Sequence, residues 1–111
     1  MKHEHYDDRS LAITEHAVER YRERAGLLHL GAEECRLALA RALRDEIDAG
    51  AAVEPHWIAG QSRVRIHVLG VPLVVIVGRD VTGWSRSGHA VVTVLTADQL
   101  EQSMREYARR P

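Results

Sequence analysis

After Gly50 the apolar residues of this chain stop recurring every three to four positions and begin to alternate, so helices come first and strands follow. Upstream of the switch, Thr14 is a good N-cap for a helix from Glu15 to about Ala25, with Gly26 as its stop. Val18, Tyr21 and Ala25 recur at helical spacing and predict its buried stripe. Gly31 precedes a second helix, Ala32 to Ala49. Its expected apolar side is Cys35, Leu37, Leu39, Ala42, Leu43 and Ile47, and Gly50 stops it.

Downstream, alternation predicts strands at Val53 to Ala59, Arg63 to Leu69, Val71 to Val77 and His89 to Leu95. Gly60-Gln61-Ser62 and Gly70 are short joints, and Gly78 to Gly88 is a longer polar loop. Connections this short predict an antiparallel meander. Thr96 followed by Gln99 reads as a capping box opening a C-terminal helix from Ala97 to about Arg109. The expected fold class is therefore α+β: two N-terminal helices, a four-stranded antiparallel sheet and a C-terminal helix. Helices are expected on one face of the sheet, with the other face partly open. Residues 1–10 read as a flexible N-terminal arm, although Leu11 to Ile13 can begin a short extended segment. Residues 11–111 read as a single domain.

Composition narrows what such a domain can do. Phe is absent and aromatics make up 5% of the chain, so the core must be built from Val, Leu, Ile and Ala, and a platform stacking several bases is not expected. With 15 Lys plus Arg against 16 Asp plus Glu, the formal net charge is -1, so any attraction for nucleic acid has to be local. Lys2 is the one lysine; the other bases are arginine, which suits bidentate pairing with carboxylate or phosphate, although GC-rich coding yields the same bias. A single cysteine, Cys35, excludes an internal disulfide and any cysteine-rich zinc site. No apolar run approaches the ~20 residues a membrane span needs, and the N-terminus is too polar for a signal peptide. The expected location is cytoplasmic, with no membrane partner.

Chemistry is concentrated in two places. On the first helix His16, Arg20 and Arg24 are spaced four apart and stack as one ridge beside the apolar stripe. In the second strand, alternation sets Arg63, Arg65 and His67 on the face opposite Val64, Ile66 and Val68. Thr93 in the last strand belongs either to that polar face or to the core, and alternation alone leaves both open. If Arg65, His67 and Thr93 gather beside the ridge, the result is a cationic cleft with His16 and His67 as proton-transfer groups. Cleavage of RNA by its own 2′-hydroxyl needs that set: a base, an acid, and cations for the pentacoordinate phosphate. The bland reading is a solvated helix face in which Glu19 and Glu23 pair with the arginines. His3, His5, His16, His29, His56, His67 and His89 show no ligand spacing, so neither a metal nor any other cofactor is expected. Trp57 reads as core, whereas Trp84, followed by Ser85, Arg86 and Ser87 in the polar loop, reads as a contact residue for RNA or a protein.

The run Ile13-Thr14-Glu15-His16-Ala17-Val18-Glu19-Arg20-Tyr21-Arg22-Glu23-Arg24-Ala25-Gly26, with Val91-Val92-Thr93-Val94-Leu95 far downstream, resembles the bacterial and phage domain of unknown function 4258. That family sits in the superfamily grouping barnase, EndoU, colicin nucleases and RelE-type toxins. Its hallmark is similar to His-Ala-x-x-Arg-x-x-x-Arg-x-Gly on the first helix and a Val-Thr-Val strand near the end. The resemblance implies a helix-then-sheet fold and a metal-independent ribonuclease of the small toxin type, with His16, Arg20, Arg24 and Thr93 in the site. It also implies RNA as substrate and an antitoxin as partner. The near-neutral charge favours a different expectation: a non-catalytic phage or mobile-element module that contacts a host protein or nucleic acid through the open sheet face and the Trp84 loop. An exposed fourth strand or the face of the third helix can mediate a dimer.

Overall fold

The computed structural model describes residues 11–56, 58 and 60–109. The expected arm over residues 1–10, and the strand positions Trp57 and Ala59, lie outside them. The elements run β1 (Ala12–Ile13), α1 (Glu15–Arg24), α2 (Ala32–Asp48), β2 (Val53–Pro55), β3 (Ser62–Val68), β4 (Val71–Arg79), β5 (His89–Thr96) and α3 (Ala97–Ala108). All three helices stand where capping and periodicity predict them. Thr14 caps α1, and Thr96 with Gln99 forms the reciprocal capping box of α3.

The sheet departs from the four-stranded expectation. Among the described residues it has five strands in the order β1-β5-β4-β3-β2 and is mixed, because β1 pairs parallel to β5 while every other neighbour is antiparallel. A strand of two residues has no period to read, and what makes it a strand is its partner on β5. At the opposite edge β2 stops at Pro55, short of the expected Ala59. Proline has no N–H to continue a ladder, and the chain turns back through His56 N–H to the Gln61 carbonyl at 3.0 Å. Leu69 leaves its expected strand as well. It and Gly70 take positive φ of 51° and 81° and form the two-residue turn between β3 and β4.

Nor do the helices share one face. α1 and α2 cover one side, where Val18, Tyr21, Leu39 and Leu43 pack with Val64, Ile66, Leu73, Val75, Val91 and Val94. α3 covers part of the other, setting Leu100 on Val74 and Ile76. Within α2 the buried stripe is Cys35, Leu39 and Leu43, each four residues on; Leu37 and Ile47 are 40% and 46% exposed, contrary to expectation. Leu37 lies two residues from both Cys35 and Leu39, about 200° around the helix from each.

Strand β5 contains a bulge that settles the position of Thr93. Ile76 pairs with Thr93 but Val77 pairs with Val91, so Val92 is the extra residue. The shift lets Val91 and Val94 both enter the α1/α2 core, which strict alternation forbids. Thr93 stands opposite Ile76 and therefore on the α3 side, half-buried.

Candidate active site

Thr14 anchors the first candidate element. Its Oγ1 accepts the Ala17 N–H at 3.1 Å and donates to the Val92 carbonyl at 3.3 Å, while its own N–H reaches the Val91 carbonyl at 3.2 Å. One residue thus ends β1, caps α1 and ties the helix to β5. Burial of Ala17, Val18 and Tyr21 fixes the roll of α1 on the sheet, so the adjacent ridge of His16, Arg20 and Arg24 is fixed too.

The three ridge residues meet different surroundings. His16 is exposed in the first turn. Arg20 pairs through Nη1 with Glu23 Oε1, one turn on, with its side chain 31% exposed. Arg24 donates from Nη1 to the carbonyl of Val94 on β5. Burial and the nearby Arg20 lower its pKa, and Glu23 acts in the opposite sense. Arginines neighbouring the ridge do similar structural work: Arg22 donates to the Leu30 and Leu28 carbonyls at 2.8 and 3.0 Å, and Arg36 on α2 donates to the Ile13 carbonyl.

The strand residues fall into two groups. Thr93 is next to Val94, whose carbonyl Arg24 holds, but Val94 enters the α1/α2 core while Thr93 faces α3, so the Thr93 side chain lies across the sheet from the ridge of α1. Arg65 and His67 are elsewhere. Both lie on β3, separated from β5 by the whole of β4, about 10 Å. The intervening Val74 and Ile76 are fully buried beneath Leu100 of α3. The register aligns Arg65 with Val74 and Leu95, and it is Arg63 that shares a cross-strand row with Ile76 and Thr93. Each has a carboxylate at hand. Arg63 and Arg65 approach Glu54 Oε1 at 3.6 and 3.7 Å, and His67 Nδ1 lies 3.9 Å from Glu46 Oε2. The single cationic cleft expected from all six residues is therefore not assembled.

A second feature was only half legible in the sequence. A groove of about 770 Å³ runs over the outer edge of β1, between α2 and the β4–β5 loop. Leu11, Ile13 and Leu37 line it with Val81 and Trp84 from the loop, and Arg36 and Arg79 stand in its lining. The loop wall is held by Asp80, which is buried. Its Oδ1 accepts the Thr82 N–H at 3.0 Å and the Thr82 hydroxyl at 2.6 Å, and its Oδ2 accepts the Ser85 N–H at 2.7 Å. These donors hold the carboxyl far below the usual aspartate range, Thr82 contributing most. The loop's polar composition and Trp84 signalled a contact surface. Leu37 and Val81 did not, because their exposure depends on where α2 and the hairpin end in space.

Among the described residues no three His, Cys, Asp or Glu side chains cluster as metal ligands, and no helix is long and apolar enough to cross a membrane. What the α1–β5 junction offers chemically is an exposed imidazole and a partly neutralised guanidinium. The chain matches no family model, no curated protein and no solved structure, so the family resemblance rests on the motif residues themselves.

Proposed function

We propose that the chain is a metal-independent ribonuclease of the small toxin type, working from a site narrower than the sequence suggests: His16 and Arg20, with Arg24 fixing the helix that carries them, and without Thr93, which faces the α3 side of the sheet. The observation that carries the reading is the hydrogen bond from Arg24 to the Val94 carbonyl, which fixes the helix ridge against the edge of β5. In this reading His16 takes the proton of a ribose 2′-hydroxyl. The O2′–P bond forms, the P–O5′ bond breaks, and the leaving oxygen is protonated from water. Arg20 meets the phosphate charge by exchanging Glu23 for it. Arg65 and His67 take no part.

The test is incubation of the purified chain with total RNA in EDTA. Wild type should cleave, and His16→Ala should cleave about 10²- to 10⁴-fold more slowly. Arg20→Ala should also be impaired. Intact RNA throughout removes the ribonuclease reading, and cleavage abolished by EDTA replaces it with a metal-dependent one.

A second reading, a non-catalytic module contacting a host protein or nucleic acid, is favoured by one specific observation: the groove at β1 with Trp84 47% exposed beside it. If RNA stays intact yet binds the chain, and Trp84→Ala abolishes that binding, the module reading takes precedence. An antitoxin belongs to the first reading and a host partner to the second.

A further inference from the structure

The loop between β4 and β5 turns its acid inward and its bases outward. From Gly78 to Ala90 the charged residues are Arg79, Asp80 and Arg86. Asp80 is buried, and both of its oxygens accept from Thr82 and Ser85 within the loop. Arg79 and Arg86 are exposed, and among the described residues neither has a carboxylate within ion-pair distance.

His89 adds to this surface. The register sets it directly opposite Arg79 across the β4–β5 ladder, so the two exposed side chains stand on the same face of the sheet. Arg79 also lines the groove together with Trp84. The remaining charges of the lining are already matched, because Glu33 pairs with Arg36 at 3.0 Å and Asp80 is satisfied inside the loop. Arg79 therefore has an indole, 47% exposed, as its neighbour in the groove and an imidazole as its neighbour in the sheet. The backbone that carries them is held in place. Trp84 N–H donates to the Thr82 hydroxyl at 3.2 Å, His89 N–H donates to the Ser87 hydroxyl at 3.2 Å, and the Ser85 hydroxyl donates to the His89 carbonyl at 2.9 Å. Little ordering is left to be done on binding.

This combination suits an unpaired nucleotide. Each nucleotide joins a flat base, which stacks on an aromatic ring, to a phosphate, which a guanidinium and an imidazole can both meet. In a duplex the bases are stacked on one another and closed to Trp84. We propose that the β4–β5 loop binds single-stranded nucleic acid, with one base on Trp84 and the adjoining phosphate on Arg79 and His89. The proposal rests on the contact-surface reading of the groove, for which it names the partner, and it holds whether or not His16 cleaves RNA.

A fluorescein-labelled single-stranded DNA of about ten nucleotides tests this on the unaltered chain, because DNA lacks the 2′-hydroxyl that the proposed cleavage requires. Fluorescence anisotropy at low salt should show binding. Trp84→Ala should weaken it roughly 5- to 150-fold, and Trp84→Phe should restore part of the loss. Arg79→Ala should weaken it as well and reduce the slope of log affinity against log salt by about 0.7, as expected for one lost phosphate contact. Stacking should also quench tryptophan fluorescence in the wild type, and the quench should vanish in Trp84→Phe, where Trp57 is the remaining reporter. If the strand binds through Trp84 and Arg79 while total RNA stays intact, this proposal stands and the ribonuclease reading falls. If RNA is cleaved but both alanine variants bind the strand like wild type, the reverse holds. No binding at low salt, equal affinity for a duplex of the same sequence, or capture of a polyglutamate peptide in place of the strand would each overturn the proposal.

Discussion

Arg24 on α1 donates to the main-chain carbonyl of Val94, 70 residues later in the chain, at the edge of β5. The short β1 covers that edge only as far as Ala12 and Ile13, whose partners are Ala90 and Val91. Beyond it the guanidinium satisfies a carbonyl that a longer strand would have bonded. The contact locks helix to strand and fixes the ridge against the edge of β5.

Arg24→Ala should therefore cost about 1–3 kcal/mol of stability, because a charge-assisted hydrogen bond to the carbonyl of the buried Val94 is lost. Arg24→Lys should recover part of the loss. Urea denaturation of the three proteins checks both. Equal stability in all of them would make the Arg24 bond incidental.

The roll of α2 can be checked with two leucines two residues apart. Leu39 is fully buried in the main core, so Leu39→Ala should destabilise by about 2–5 kcal/mol. Leu37 faces the groove, and Leu37→Ala should change stability by less than about 0.5 kcal/mol. Comparable losses at both positions would require a different helix face against the sheet.

At the β3–β4 turn, Leu69 sits at φ 51° with 85% of its surface exposed, so it bears a left-handed conformation with little packing in return. Leu69→Asn should raise stability by about 1 kcal/mol, since Asn-Gly suits a two-residue hairpin turn. A thermal melt reads the gain, and a fall in melting temperature would count against the turn geometry.

Asp80 gives the fold an acid-sensitive element. Its pKa is depressed on folding, so the unfolded chain binds the proton more readily and stability falls as the solution is acidified. The contribution is fully present above the unfolded value near 3.8 and is lost as pH falls towards the lower folded value. Wild type should exceed Asp80→Asn in melting temperature at neutral pH, and the gap should narrow below about pH 4. A gap independent of pH would mean that the carboxylate charge is not what holds the loop.

What could be read from the chain were features with local causes. Thr14 and Thr96 announce helix starts because the caps are made by neighbouring residues. Val64 and Ile66 announce a core face because alternation forces Arg65 and His67 to the opposite side. His16, Arg20 and Arg24 are one ridge in any helix that spans them. Features settled between distant segments were not legible. Ala12 and Ile13 form a strand only because β5 is beside them. Thr93 faces α3 only because Val92 is bulged out of the β4 ladder, and Arg65 stands apart from Thr93 because β4 and Leu100 come between. The sequence by itself therefore determined the helices, the inward and outward faces of β3 and the α1 ridge, all set by contacts within a few residues. Tertiary structure alone decided the mixed sheet, the side on which α3 packs and which charged residues share a neighbourhood, because those depend on strand order and register between segments far apart in the chain.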